Sequence, residues 1–176
     1  MEELLSWTTT TKYVVRMILL TITSDCTMSS GPWNICTLDT DEVAVAFPDK
    51  NKIQFFKIGD TIRPSGHITV RRKCRSLVAL NNLELVYAGT VKEETTYYWG
   101  TITREGPDKS CFHIPRGNIT HFEVNMALNS CKTLAYISCY DTGTVHCFGL
   151  NGMQHFKYKV QEGPDQGNPL EIELYL

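Results

Sequence analysis

A β-hairpin pattern occurs twice in this sequence, and it constrains the possible folds more than any other feature. Residues 43–56 have the sequence VAVAFPDKNKIQFF, and residues 134–148 have the sequence LAYISCYDTGTVHCF. When the aspartates of the two turns are aligned, Asn51 falls on Gly143. Asp can hydrogen-bond to its own backbone two residues further on, and Asn and Gly tolerate the positive φ of a tight turn. Repeated units that cannot bury their apolar faces alone must stack on one another.

A weaker third copy lies between these two, at residues 74–87 (CRSLVALNNLELVY). The repeating unit is then about 42 to 46 residues long and contains four short strands, as in a β-propeller blade. The chain has little helical periodicity, which favours an all-β fold. We therefore predict a partial β-propeller of about three four-stranded blades. The spacing also leaves a two-sheet β-sandwich open as the alternative.

The strand signals define a domain prediction. Residues 1–24 are expected to form an N-terminal extension with a strand over 12–23, and residues 25–176 the partial propeller. The predicted blades are 25–72, 73–116 and 117–162. The remaining residues, which include a predicted strand at 170–176, are expected to start a further blade. In the first unit the predicted strands are 33–38, 42–48, 52–58 and 66–72. In the last unit they are 119–128, 133–140, 144–149 and 153–160.

Composition limits the classes of function. The 176-residue chain is 42% hydrophobic and has a formal net charge of −2, so it has no overall attraction for nucleic acid or anionic membranes. The apolar run Tyr13–Ile22 contains Arg16 and is shorter than the roughly 17–25 residues of a membrane span. It also lacks the basic start and the small-residue cleavage site of a signal peptide, which favours a buried strand. Seven cysteines without a CxxC pair favour free thiols in a reducing, cytoplasmic environment.

No residue pattern predicts catalysis, a metal site or a cofactor. Cys139, His146 and Cys147 lie near one hairpin, but neighbouring strand residues point to opposite faces, so at most two could share a metal. The preferred interpretation is core cysteines with an exposed His146. A calcium-dependent propeller hydrolase would need six to eight oxygen ligands around its metal. Among the residues at the starts of the predicted inner strands, Asn34 and Glu123 alone have side-chain oxygen ligands, which are too few. We therefore predict that the chain is not an enzyme.

Basic residues that are distant in sequence are predicted to meet on one rim of the propeller. In a four-stranded meander, the hairpin between the second and third strands emerges on the same side as the connection to the next blade. The predicted binding rim comprises Lys50, Lys52, Arg71, Arg72, Lys73 and Arg116. Such a patch can bind phosphates or acidic peptides. Acidic residues at 49, 93, 94 and 141 share the rim, and a solvated edge that resists sheet-to-sheet pairing is the alternative interpretation.

Aromatic residues also admit two interpretations. Tyr97, Tyr98 and Trp99 lie near Lys92, and exposed aromatics on a basic surface can stack single-stranded RNA bases. Strand alternation places Tyr97 and Trp99 on the same face, which favours core packing between blades. Trp33 is likewise predicted to pack between blades.

Several stretches carry a family resemblance. Residues 32–35 (PWNI), 41–45 (DEVAV) and 48–55 (PDKNKIQF), together with Cys74-Arg75 and the hairpin over 141–152, resemble the C-terminal propeller region of invertebrate tripartite-motif proteins. That region is related to six-bladed NHL-type propellers. The resemblance covers about residues 25–170. It implies a partner-selecting module of a ubiquitin-ligase-type protein, without the RING finger, B-boxes and coiled coil of full-length members.

The resemblance, the basic rim and the propeller fold together lead to three functional hypotheses. The first is protein–protein binding through the rim, the second is single-stranded RNA binding through the basic residues of the rim, and the third is a propeller hydrolase. Six blades would need roughly 250 residues, so the chain is expected to be a fragment or a shortened gene product. An open ring exposes an apolar blade face and unpaired edges, so self-association is also expected. No membrane partner is predicted.

Overall fold

The computed structural model describes residues 5–8, 13–19, 22–28, 30–90, 96–106, 108–115 and 123–159. The described residues form four antiparallel sheets in which strands that are consecutive in sequence are paired. The N-terminal sheet contains β1 (Leu5–Thr8), β2 (Tyr13–Leu19) and β3 (Ile22–Met28). The first sheet contains β4 (Asn34–Asp39), β5 (Glu42–Phe47), β6 (Lys52–Lys57) and β7 (Arg63–Thr69).

Two further sheets repeat this meander. The second sheet contains β8 (Lys73–Ala79), β9 (Glu84–Thr90), β10 (Thr96–Thr103) and β11 (Asp108–Pro115). The third sheet contains β12 (Val124–Leu128), β13 (Leu134–Cys139), β14 (Thr144–Gly149) and β15 (Gln154–Lys159). The first strands of neighbouring sheets contact one another, β4 with β8 and β8 with β12, which makes these three the inner strands.

The two hairpins recognised in the sequence have the same turn. Pro48–Lys50 and Tyr140–Thr142 each form a short 3-10 turn between the second and third strands of a sheet. Asn51, with φ 48°, ends the first turn, and Gly143, with φ 57°, ends the second. The predicted alignment of Asn51 with Gly143 is therefore confirmed, because both residues adopt the left-handed conformation that this turn needs.

Strand alternation creates two apolar clusters between the sheets. Tyr98 lies with Phe55 and Leu85 in the cluster between the first and second sheets. Tyr97 and Trp99 point the other way, into the cluster between the second and third sheets. The core interpretation of the aromatic run is confirmed, because all three of its side chains are at most 1% exposed.

A third apolar cluster lies on the outward face of the first sheet. Val43, Val45 and Phe47 lie there with Met28 of β3. The N-terminal sheet is therefore in contact with the first sheet. The sequence predicted one strand over 12–23, but the chain makes a hairpin of β2 and β3 there.

Other predicted elements differ in detail or cannot be compared. The outer strand of the first sheet occupies Arg63–Thr69, not 66–72. The strand predicted at 170–176 lies outside the described residues, and the proposed domain boundaries stay a prediction. No helix in the described parts of the chain is long and apolar enough to cross a bilayer.

Candidate functional site

The rim is the edge of the sheets that contains the turns 48–51 and 140–143 and the connection 70–72. Within the first sheet, the amide of Val70 donates to the carbonyl oxygen of Asn51 at 2.8 Å, which holds the connection against the turn. In the third sheet, the amide of Tyr140 donates to the carbonyl oxygen of Glu123 at 3.2 Å. The hairpin and the inter-sheet connection thus lie on the same edge.

The rim aspartates connect neighbouring sheets. Asp49 accepts a salt bridge from Lys73 of the second sheet, with 3.3 Å between Nζ and Oδ1. Asp141 accepts a 2.6 Å hydrogen bond from the hydroxyl of Tyr97, also in the second sheet. The two turn aspartates therefore do more than shape their own turns, because each holds a turn against the neighbouring sheet.

Several of the predicted binding residues are engaged by their own surroundings. The guanidinium of Arg72 lies 5.0 Å from the ring centroid of buried Tyr98, and its Nη1 lies 3.1 Å from Sγ of Cys111. Burial raises the pKa of Tyr98, so the ring faces Arg72 as a neutral phenol. Nζ of Lys52 donates to Oε1 of Gln54 at 3.0 Å. Arg72 and Lys52 are therefore both in contact with neighbouring side chains of the fold.

Two of the predicted basic residues remain available on the rim. Lys50 and Arg71 are exposed, and no described residue forms an ion pair with either. Arg116 lies outside the described residues. Of the six predicted rim residues, these two are therefore the exposed cations without an ion pair in the described part of the chain, and the binding role of the patch stays a prediction.

Trp33 and Arg75 form a contact at the rim that the sequence analysis missed. Trp33 precedes β4 and is 48% exposed, so it packs between the first and second sheets, as predicted, but at the surface and not in the core. The guanidinium of Arg75, on β8, lies 4.2 Å from the centroid of its ring. The two side chains stack across the first and second sheets because their inner strands are adjacent. An aromatic residue just before one inner strand and an arginine within the next was the available signal.

The surroundings of Arg75 keep it charged. Burial lowers the pKa of Arg75, and the carboxylates of Asp49 and Glu123 act in the opposite direction.

Asn34, at the start of β4, accepts a 2.9 Å hydrogen bond from the amide of Leu77 through Oδ1. Asn34 is thus engaged in joining the first and second sheets.

His146 is buried, which corrects the prediction that it is exposed. It is 5% exposed, its ring stacks on Phe148 at 5.8 Å, and its Nε2 lies 3.0 Å from Oγ1 of Thr144. Burial, followed by the nearby charge of Lys157, lowers the pKa of His146. Cys139 is buried on the same face, and burial raises its pKa to about 12. Among the described residues, no three Asp, Glu, His or Cys side chains are grouped as a metal site.

The inner strands border a groove in which the lysine side chain is engaged and the thiol is unreactive. Residues of β4 and β8 form its walls, and Lys132, from the turn after β12, lies at its side. Nζ of Lys132 donates to the carbonyl oxygen of Leu80 at 2.9 Å, which joins the second and third sheets. Cys36 lines the same groove, and burial raises its pKa to about 12, so its thiol is not an activated nucleophile.

Comparison with known proteins identifies the architecture. No family model and no curated protein matches the chain. Among solved structures, the WD40 domain of Toxoplasma gondii coronin matches with a TM-score of 0.63 and 8% identity, over 84% of this chain and 43% of that domain. The WD40 β-propeller domain of Doa1 matches with a TM-score of 0.62 and 10% identity, over 87% of this chain and 52% of that domain. A functionally unknown protein from Desulfotomaculum acetoxidans matches with a TM-score of 0.61 and 11% identity, over 84% of this chain and 48% of that protein.

These matches establish the fold and leave finer relationships open. The chain spans about half the length of the matched structures. The named domains are WD40 propellers, whereas the sequence resemblance is to the NHL-type propellers of tripartite-motif proteins. Stacked four-stranded meanders and these matches together exclude the β-sandwich alternative. The chain is an all-β partial β-propeller of about three blades.

Proposed function

We propose that the chain is a non-catalytic protein-binding module whose contact surface is the rim around Trp33 and Arg75. The exposed Trp33–Arg75 stack is the observation that carries this proposal. Trp, Tyr and Arg are the residue types that most often contribute strongly to binding energy at protein interfaces. The WD40-type neighbours support a scaffold role in general terms.

The charge around this stack suggests the chemistry of the partner. Lys50 and Arg71 provide solvent-facing positive charge on the same rim, while Asp49 is paired with Lys73. A partner segment that combines an apolar side chain with a carboxylate would suit the Trp33 ring and the free cations. In line with the tripartite-motif resemblance, we propose that this segment belongs to a cytoplasmic protein selected for a ubiquitin-ligase-type assembly.

Binding should depend on the rim and not on exposed apolar surface in general. The test compares Trp33→Ala with Leu83→Ala in cross-linking pull-downs from cytosol, because Leu83 is an exposed apolar residue (62%) in the turn between β8 and β9, on the opposite edge. We expect Trp33→Ala to lose the cross-linked partner and Leu83→Ala to retain it. If both variants retain the same partners, the rim is not the binding surface.

RNA binding through the same rim is distinguished by its salt dependence. Retention on single-stranded RNA that falls steeply with salt, and that disappears in the Lys50→Ala/Arg71→Ala variant, would favour RNA over a protein partner. Arg63→Ala is the control, because Arg63 is an exposed cation at the start of β7, on the opposite edge. Retention that is lost equally in the control would show nonspecific electrostatic attraction.

A further inference from the structure

His146 is a buried histidine at the contact between the second and third sheets. Its ring and that of Phe148 lie on the same face of β14, stacked with 5.8 Å between their centroids. Phe148 in turn packs on Trp99 of the second sheet, with 5.2 Å between ring centroids. One aromatic ring therefore separates the imidazole of His146 from the neighbouring sheet, and a charge on the imidazole would lie beside the apolar cluster between the two sheets.

The hydrogen bonds of His146 suit a neutral imidazole. Nε2 lies 3.0 Å from Oγ1 of Thr144, whereas Nδ1 is buried and has no hydrogen-bond partner among the residues that the structure describes. Protonation makes both ring nitrogens donors, so the imidazolium would bury an N–H without an acceptor. Burying a charge that lacks hydrogen bonds costs far more than burying a neutral group. The closed contact therefore disfavours the protonated form of His146.

Positive charges on β15 face His146 from the adjacent strand. Lys157 is the direct cross-strand partner of His146, and Lys159 is the partner of Thr144. Directly paired residues have their side chains on the same face of the sheet, and like charges in this arrangement are destabilising. A protonated His146 would therefore be opposed by the ammonium group of Lys157.

The other described elements around this contact provide no counter-ion bonded to His146. On β13, Cys139 is a buried thiol whose pKa is raised to about 12, so it stays neutral. On β10, the hydroxyl of Tyr97 donates to Asp141, in the turn before β14, at 2.6 Å. The strands β9, β11 and β12 contribute apolar side chains to the cluster. Neither ring nitrogen of His146 is bonded to a carboxylate in the described part of the chain.

We propose that this contact is a pH-sensitive switch, in which protonation of His146 releases the third sheet from the second. In the open arrangement, water solvates both nitrogens of the imidazolium and screens it from Lys157. Opening also uncovers the rings of Trp99, Phe112 and Phe148, which form an apolar surface at low pH. The uncovered third sheet loses the packing that stabilises it, so its backbone hydrogen bonds open as well.

The direction of the pH effect follows from the same contacts. Burial, and then the charge of Lys157, lower the pKa of His146 from its ordinary 6.5, and Gln154 opposes them to a smaller extent. In the open arrangement the pKa returns toward 6.5, so the open form takes up the proton at a higher pH than the closed form does. The closed form is therefore favoured above pH 6.5 and is progressively lost as the pH falls below this value. One proton shifts the equilibrium by at most about tenfold per pH unit.

Amide hydrogen exchange of the full chain between about pH 7.5 and about pH 5 tests this switch. The rates are corrected for the intrinsic pH dependence of exchange, and the strands β5 and β6 of the first sheet serve as the internal reference. We expect the protection of β12, β13 and β14 to fall by up to about tenfold per pH unit below pH 6.5. The protection of the reference strands should change by less than about twofold over the same range.

Three variants separate His146 from other titrating groups. His146→Gln cannot be protonated and keeps an amide that can bond to Thr144, so the selective loss of protection in acid should disappear. His155→Gln is the matched control, because His155 is an exposed histidine of β15, and this variant should retain the loss. Lys157→Gln should move the opening to lower pH, since it removes the opposing charge. A full pH response in His146→Gln, or its absence in His155→Gln, would overturn the proposal.

The unmodified chain provides a second measurement that does not depend on variant folding. In nuclear magnetic resonance spectra, the ring signals of His146 should titrate below pH 6.5 together with the loss of protection in β12, β13 and β14. Titration of His146 while this protection stays constant, or an equal loss in the first and third sheets, would overturn the switch. Trp33→Ala should lose the rim partner and keep the pH response, which separates this inference from the proposed function.

Discussion

Removing the carboxylate of Glu42 should destabilise the contact between the first and second sheets. Glu42 begins β5, and its side chain is 9% exposed. Its carboxylate accepts hydrogen bonds from Arg104 at 2.7 and 2.8 Å and from the hydroxyl of Ser65 at 2.9 Å. Arg104 follows β10 in the second sheet, and its guanidinium lies 4.6 Å from the ring centroid of Phe55. The pair therefore joins the two sheets through both charge and stacking.

The expected loss follows from the burial of the pair. Removing one partner of a buried ion pair costs about 3–5 kcal/mol. Arg104 retains 29% side-chain exposure, so water can partly solvate the stranded guanidinium, and Glu42→Gln should cost about 2–3 kcal/mol. Arg104→Met keeps an apolar contact with Phe55 but strands the more buried carboxylate, at a cost of about 3 kcal/mol. The double variant should lose about 2 kcal/mol less than the sum, because neither charge is left alone.

Urea unfolding followed by circular dichroism measures these losses. With slopes of about 1–3 kcal/mol per molar urea, Glu42→Gln should lower the midpoint by about 1–2 M at neutral pH. Strictly additive losses in the double variant would refute the coupling between the two side chains. Ser65→Ala is the control, because it removes one neutral hydrogen bond and should cost about 1 kcal/mol.

The pH dependence gives the same reasoning an independent test. Burial acts to raise the pKa of Glu42, but the hydrogen bonds from Arg104 and Ser65 outweigh it, and the pKa is lowered from 4.5. The unfolded chain therefore takes up this proton at a higher pH than the folded chain does. The stabilisation by Glu42 is complete above 4.5 and is lost as the pH falls through the lower folded value. The difference between the unmodified chain and Glu42→Gln should shrink in acid, and a constant difference would refute the assignment.

Three further predictions concern the contacts of the second and third sheets. Trp99→Ala should lower the free energy of unfolding by about 3–5 kcal/mol, because the buried indole packs on Phe112 and Phe148 at 4.8 and 5.2 Å between ring centroids. A loss below about 1 kcal/mol in urea unfolding would contradict this packing. Tyr97→Phe should cost about 1–2 kcal/mol by leaving Asp141 without its 2.6 Å hydrogen bond, and an unchanged melting temperature would show that this rim contact contributes nothing. In the native chain, an aromatic disulfide reagent should modify the exposed thiol at position 131 within the mixing time. The thiol at 139 is buried and its pKa is raised to about 12, so it should react only when the chain unfolds. Equal reaction rates for the two thiols would contradict the burial of the second.

The repeat made the strands predictable, but it could not predict side-chain contacts. The strand 144–149 was predicted with its observed bounds because a β-branched and aromatic run follows a clear turn. The outer strand of the first sheet begins earlier than predicted, at Arg63, and includes Pro64 and Gly66, which usually indicate a break. An edge strand tolerates proline because one side of its backbone needs no hydrogen-bond partner.

The errors at the candidate site have a common physical origin. His146 looked like a surface residue because it is polar, yet its strand position faces the second sheet, where Thr144 can satisfy it. Trp33 looked like a core residue because it is aromatic, yet it lies just before β4, and a cation of the next sheet covers it. Long side chains such as Arg72 contact residues on neighbouring strands and sheets. The local sequence pattern does not specify which of those residues they contact.

The burial of both faces of the second sheet has a consequence for how the molecule unfolds. Tyr98 and Trp99, on opposite faces of β10, belong to two separate apolar clusters. Each sheet is therefore coupled to its nearest neighbours alone, and stability approximates a sum of unit and interface terms along a line. Such a system frays from its ends, so the N-terminal and third sheets can open while the two sheets between them stay packed. The first and second sheets, each covered on both faces, then form the last cooperative unit to melt.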